Sequence, residues 1–308
     1  ISNLGACALF AAMSGSSPAT CAAIGKMGIP EMRKRGYPDE IATGSIAAGG
    51  TLGILIPPSI TMIVYGIATE TSIGRLFLAG VIPGLLLMVL FMSWSIYATW
   101  VSGGRTAMVH TSYSWQERFE ILPRVLPFIV IILGVLYTMY GGVATPSETA
   151  AVGALLCLIV AMVIYKLTSF SALWTVLRDS TKESVMILFI IAAAGVFSYM
   201  LSSLYITQSI AEWISGLDVN RWVLMIAINV FLIIAGFFLP PVAVILMTAP
   251  ILLPVITGAG FDPIWFAVVL TINMEIGLIS PPVGLNLYVI NGIAPDISLR
   301  TILIGSLP

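Results

Sequence analysis

Charge is what this sequence has least of. Only 9% of its 308 residues are charged, against about 25% in a soluble domain. It holds one histidine, His110, and three cysteines, Cys7, Cys21 and Cys157. No CxxC or Cys/His spacing links them, so the cysteines read as small buried hydrophobes rather than metal ligands or disulfides. There is no HExxH, no Ser/His pair inside an apolar run and no phosphate-binding glycine fingerprint. These absences exclude the common hydrolases and nucleotide enzymes. So charge-poor a composition also excludes a cytosolic enzyme, a nucleic-acid binder and a disordered chain, while the near-neutral balance of 13 basic against 14 acidic residues says nothing about partners. No basic n-region with a short apolar run opens the chain, which begins at Ile1.

What is present is apolar. Hydrophobic residues make up 59% and mean hydropathy is +1.06. The runs are long and unbroken rather than alternating, which excludes a transmembrane barrel and predicts an all-α polytopic membrane protein. A helical span needs about 20 apolar residues. Candidate spans are 75–100, 124–141, 148–166 and 184–205. Two longer runs, 41–66 and 264–290, are interrupted by Pro57-Pro58 and Pro281-Pro282. Two more read as re-entrant hairpins with short arms: 1–28, turning at Ser14–Pro18, and 222–253, turning at Pro240-Pro241. Residues 206–220 read as an interfacial helix anchored by Trp213. Ser114–Leu122 reads as an amphipathic surface helix, and Thr145-Pro146-Ser147-Glu148 as a capping box.

Residues n and n + 224 match repeatedly. Pro30 meets Pro254, Gly36-Tyr37 meets Gly260-Phe261, Gly53 meets Gly277 and Pro57-Pro58 meets Pro281-Pro282. After a one-residue slip, Arg75 meets Arg300 and Gly80 meets Gly305. Each half is therefore hairpin, broken helix, next helix. Five crossings separate equivalent points, an odd number, so the second repeat is inverted. Basic residues test this independently. Eleven fall on one predicted side and only Arg75 and Arg221 on the other, a strong positive-inside bias. Inverted repeats with discontinuous helices are the build of secondary transporters.

The expected division is 1–74, first hairpin and broken helix; 75–221, connecting and scaffold helices; 222–298, second hairpin and broken helix; and 299–308, the start of a further helix. Repeat symmetry also implies up to roughly 100 residues before Ile1 and an intact chain of roughly 425.

The chemistry is expected at the breaks. A proline lacks an N–H, so the carbonyl four residues earlier loses its helical partner. Pro57 and Pro58 free Gly53 and Ile54; Pro281 and Pro282 free Gly277 and Leu278. Carbonyl and hydroxyl oxygens converging at a helix break suit a hard, weakly hydrated cation such as Na⁺. Helix N-termini across from them favour an anion. Two sodium sites are expected. One uses Ser14 with Gly53, Ile56 and Ser59; the other uses Gly236 with Gly277, Ser280 and Val283. Ser16, Ser17, Pro57, Pro58, Pro240, Pro241, Pro281 and Pro282 are the tip and break positions expected near substrate. Glu275, the only acidic residue deep in a span, is a candidate for coupling. Asn273, Asn286 and Asn291 on the same run suggest interhelical hydrogen bonds. Broken helices also line channels, but no repeated filter motif is present.

Five segments carry a family resemblance. They are SGSSPATCAAIG at 14–25, GTLGILIPPSI at 50–60, VYGIATETSIGRLFLAGVIPG at 64–84, GGVATPSETAAVGA at 141–154 and GLISPPVGLNLYVING at 277–292. In this order they resemble the large membrane subunit of tripartite ATP-independent periplasmic (TRAP) transporters, over essentially the whole chain. One departure is Thr149, where that family more often has Ala.

The resemblance implies a multi-pass protein of the bacterial inner membrane. It implies an elevator-type, Na⁺-driven importer of organic acid anions, with Na⁺ as coupling ion and no other cofactor. Its partners would be a small four-helix membrane subunit, a soluble periplasmic binding protein and membrane lipid. The family's sodium ligands fall on the same regions, including Ser14, Gly236, Gly277 and Ser280. A single-component ion-coupled anion transporter of related architecture is the alternative function.

Overall fold

The computed structural model describes residues 1–101, 115–216 and 219–307. His110 and Arg105 lie outside the described residues, as do the side chains of 115–122. The described residues form fourteen α-helices and no strand. In order they are α1 (Ser2–Ser14), α2 (Ser17–Lys34), α3 (Asp39–Thr51), α4 (Ile60–Thr69), α5 (Ile73–Val101), α6 (Trp115–Tyr140) and α7 (Pro146–Val163). There follow α8 (Phe170–Ser203), α9 (Ile206–Ser215), α10 (Arg221–Phe238), α11 (Pro241–Gly258), α12 (Pro263–Leu278), α13 (Leu285–Ile293) and α14 (Leu299–Ser306).

Two compact units arise. One joins 1–109 to 191–308; the other is 110–190. In the second, α6 packs on α7. The Val135 side chain lies 3.1 Å from where a β-carbon on Gly153 would stand, and Phe128 and Tyr165 pair at 6.0 Å. Thr138 Oγ1 lies 3.5 Å from Thr149 Oγ1, so the buried threonine finds a hydroxyl partner. The predicted cap is present. Glu148 N–H donates to Thr145 Oγ1 at 3.4 Å, and Thr145 N–H donates to Glu148 Oε2 at 2.8 Å. Of the stretch read as an amphipathic helix, 115–122 forms the start of α6, whose Pro123 and Pro127 do not end it, and Ser114 lies outside the described residues.

The first unit contains both repeats, and the register of the match is visible in the backbone. The α2–α3 loop closes with Gly36 N–H on Arg33 O at 2.9 Å and Tyr37 N–H on Met32 O at 3.1 Å. The α11–α12 loop closes with Gly260 N–H on Thr257 O at 3.0 Å and Phe261 N–H on Ile256 O at 2.9 Å. Every atom pair is displaced by 224. Gly36 and Gly260 both take the left-handed conformation that this helix ending requires, at φ 76° and 80°.

Both long runs break, but upstream of the prolines. The regular α3 ends at Thr51 and tightens into a 3₁₀ turn at Leu52–Ile54 before Pro57. The first half of the second run ends at Leu278, ahead of Pro281. A proline bars its predecessor from helical backbone and strips donors from the previous turn, so the helix unwinds about a turn early.

The second hairpin is longer than expected. Its arms have 18 residues each and are apolar and long enough to cross a membrane. Five helices meet that standard: α5, α7, α8, α10 and α11. Large side chains such as Leu78, Ile82, Leu86, Phe189, Phe231 and Ile234 are exposed on these helices. A surface of this kind belongs in lipid.

Packing is crosswise between the repeats. The half-helix after the first break, α4, packs on α11 of the second hairpin. The half-helix after the second break, α13, packs on α2 of the first hairpin. A buried apolar cluster at the latter contact includes Cys21, Ile24, Leu287 and Ile290. Tyr65 of α4 also reaches the start of α12, its Oη donating to Pro263 O at 2.9 Å.

Candidate functional site

The first hairpin tip is rich in hydroxyls. Ser14 Oγ lies 3.1 Å from Thr20 Oγ1, and Thr20 Oγ1 donates to Ser16 O at 2.8 Å. Gly15 turns the chain in the left-handed conformation, φ 60°. Its carbonyl accepts from Ile60 N–H, at the first break, at 3.3 Å. A β-carbon on Gly15 would stand 2.8 Å from Pro58 O. One on Gly53 would stand 2.6 Å from Ser16 O. The hairpin turn is thus laid directly on the break, and only glycines allow that approach.

The carbonyl freed by Pro58 is not left bare. Ile54 O accepts from Ser59 Oγ and, at 2.9 Å, from Thr61 Oγ1. Ser59 also caps α4, accepting from Met62 N–H at 3.3 Å. Both hydroxyls retain lone pairs, so they can offer oxygen to a cation while donating their protons to the carbonyl. Thr20 and Thr61 are the two residues that sequence reasoning missed. Each lies within a turn or two of a residue it did select, which was the available signal. The Ile56 side chain packs toward α5, 2.9 Å from where a β-carbon on Gly84 would stand.

The second site is built from backbone. A β-carbon on Gly277 would stand 2.6 Å from Gly236 O. Phe237 O accepts from Val283 N–H at 3.2 Å, close to but not in register with the Gly15–Ile60 bond. Again tip and break are joined by one main-chain hydrogen bond. Gly277 O is taken up locally by Ser280 N–H, at 3.4 Å. Ser280 is the only hydroxyl among the expected residues here, and Pro240, Pro281, Pro282 and Val283 are exposed, while Pro241 is half-buried. At the first break Gly15, Ser17, Pro57 and Ser59 are buried. The two sites therefore differ in chemistry: one offers hydroxyls in a covered place, the other carbonyls at an open one.

Polar residues beyond the breaks are mostly paired. Asn273 donates to Asn229 across α12 and α10. Asn291 donates to Ile297 O at 3.0 Å. Asn286 Nδ2 donates to Ser17 Oγ at 2.8 Å and Ala47 O at 3.3 Å. Glu275 is the exception. It is 4% exposed, and its Oε1 has no hydrogen-bond partner. Its counterpart by the repeat is Thr51, whose hydroxyl is satisfied by Ala48 O at 2.7 Å. Among the described residues no three His, Cys, Asp or Glu side chains gather as a metal site. An ion held here would need hydroxyl and carbonyl oxygens, a donor set suited to hard monovalent cations.

Helices with lipid-facing side chains and two helix breaks, each met by a hairpin, define a polytopic membrane protein. The model of the tripartite ATP-independent periplasmic transporter DctM component matches residues 1–308, and the chain belongs to this family. It is 45% identical over 289 residues to the C4-dicarboxylate TRAP transporter large permease protein DctM of Pseudomonas aeruginosa. That match covers 94% of this chain and 67% of the relative. It is 38% identical over 304 residues to the protein of the same name from Rhodobacter capsulatus, covering 94% and 68%. It is 32% identical over 306 residues to the sialic acid TRAP transporter large permease protein SiaM of Vibrio cholerae, covering 99% and 71%. The protein is thus a transport component of the bacterial inner membrane and not an enzyme.

Proposed function

We propose that this chain carries out sodium-coupled import of an organic acid anion across the inner membrane. Substrate is delivered by a soluble periplasmic binding protein, and a small four-helix membrane subunit completes the scaffold. The relatives named for C4-dicarboxylates favour a small dicarboxylate as cargo over a larger acid. The observation that carries the reading is the paired junction of tip and break, Gly53 on Ser16 and Gly277 on Gly236. Each junction gathers oxygens at a point where the helix is open.

In this mechanism sodium is held at the first junction by Ser14, Gly53, Ile56 and Ser59, with Thr20 and Thr61 nearby. At the second it is held by carbonyls of Gly236, Gly277 and Val283 with Ser280. Bound sodium orders both tips around the anion, with Ser16, Ser17 and the proline pairs lining its place. The hairpins and broken helices of 1–74 and 222–298 then slide as one body against scaffold helices drawn from 75–100, 124–141 and 148–166. Gly80 and Gly84 favour such sliding. A β-carbon on either would stand under 3 Å from atoms of the first break, so α5 is smooth where it meets that break. Glu275 is placed beside the second break as a coupling group.

The test is uptake of labelled organic acids into proteoliposomes that hold the full-length subunit with its small partner. Accumulation that needs both an inward sodium gradient and the binding protein supports the reading. Accumulation without the binding protein would make it a single-component transporter. Downhill flux indifferent to sodium would make the breaks structural only.

A further inference from the structure

The two repeats are joined by a buried polar link between Ser17 and Asn286. Ser17 opens α2 at the first hairpin tip; Asn286 lies in the first turn of α13, just after the second break. They are 269 positions apart and both are fully buried. Asn286 Nδ2 donates one proton to Ser17 Oγ at 2.8 Å and the other to Ala47 O at 3.3 Å. Ser17 Oγ lies 3.2 Å from Asn286 Oδ1 as well. One amide therefore touches the first hairpin and the helix that leads into the first break, while standing on the helix that leaves the second break.

We propose that Asn286 is a positioning residue that couples the two junctions, so that ordering the first tip also orders the second break. This rests on the sodium-coupled reading above. The physical basis is geometric. Val283, whose N–H ties the second break to Phe237 O, is three residues before Asn286. Gly284 between them is the left-handed residue on which α13 starts, φ 52°. Moving Ser17 by the length of a hydrogen bond forces Asn286 either to follow or to lose a buried partner. Following displaces the start of α13, and with it the Val283–Phe237 bond. An unpaired buried amide is costly, so the linked arrangement is favoured. Coupling of this kind is reciprocal: each junction stabilises the other by the same factor.

The experiment uses the complete transporter in proteoliposomes, with its small subunit and binding protein, and measures initial uptake against sodium concentration. The wild type is expected to respond cooperatively. Asn286→Ala is expected to lower the Hill coefficient toward one and to raise the half-saturating sodium concentration about fivefold. The half-saturating concentration of loaded binding protein should stay the same. Asn291→Ala removes a bond on the same helix that does not reach the first hairpin. It is expected to lower thermal stability without changing the Hill coefficient. If Asn286→Ala fails to assemble, Asn286→Leu fills the space with no donor and carries the same measurement. Unchanged sodium cooperativity in the Asn286 variants would overturn the coupling. Equal loss in Asn291→Ala would also overturn it, as a general packing effect. A wild type indifferent to sodium would overturn the sodium-coupled reading itself, and the coupling with it.

Discussion

Gly277 and Gly236 meet backbone to backbone, so close that a β-carbon on the first would stand 2.6 Å from the carbonyl oxygen of the second. Gly53 bears the same relation to Ser16 in the other repeat. These two contacts fix each hairpin tip on its own helix break, and the account of function stands on them.

Gly277→Val should therefore act on the junction. The branched side chain cannot enter without parting the tip from the break, and overpacking of this kind costs about 1–3 kcal/mol. Insertion and expression should persist, while sodium-dependent uptake should fall by at least about tenfold, as a barrier increase near 1.4 kcal/mol gives. Normal uptake by a well-expressed variant would remove Gly277 from the site.

Ser59 and Thr61 share one carbonyl, Ile54 O. Either single alanine leaves that carbonyl a partner; the double alanine strands it, at about 1–3 kcal/mol. The double variant should lose more stability than the two singles combined. It should also raise the sodium requirement of uptake. Thermal melts of the purified complex and sodium titration of transport check the two halves separately.

Glu275 has a buried oxygen with no partner. An unpaired carboxylate in a membrane interior is costly, and such groups are retained for function. Glu275→Gln keeps the shape and removes the ionisable group. It should leave the melting temperature within a few degrees and slow net uptake severalfold. Wild-type uptake would take Glu275 out of the coupling machinery.

Arg33 holds the α13–α14 loop. Its guanidinium lies 2.6 Å from Asp296 and 3.0 Å from Asp39. The hydrogen bond from Arg33 holds the Asp296 carboxyl below its usual range. A carboxyl with a depressed pKa contributes stability above its unfolded pKa, and loses it as pH falls through the lowered value. The contribution is thus complete at neutral pH and begins to fall below about pH 4, the unfolded value. Asp296→Asn should destabilise the complex slightly at pH 7, with the difference from wild type closing as the pH is taken down through the acid range. A constant difference across that range would mean the contact is not electrostatic.

Much of this architecture is legible in the sequence because its signals are local. Paired prolines mark the breaks, Gly36 and Gly260 mark the matched loop closures, and Thr145 with Glu148 spells the cap. The repeat offset of 224 survives atom for atom in the α2–α3 and α11–α12 loops. Other features are illegible because they are made between distant segments. Nothing near Ser17 announces Asn286, and nothing near Tyr65 announces Pro263. The unwinding ahead of each proline is legible as well, because the donors that the prolines lack leave the carbonyls of the preceding turn free. The contrast between a hydroxyl-lined first junction and a carbonyl-lined second one needs burial as well as sequence.

The central claim is that the two junctions hold the ions that drive transport. The most direct measurement is accumulation of a labelled C4-dicarboxylate by the complete transporter in proteoliposomes, with and without an inward sodium gradient. Wild type and Gly53→Val/Gly277→Val would be compared side by side. The account predicts concentrative uptake by wild type only when the gradient and the binding protein are both present, and none by the double variant. Concentrative uptake by the double variant, or uptake by wild type that ignores sodium, would contradict it.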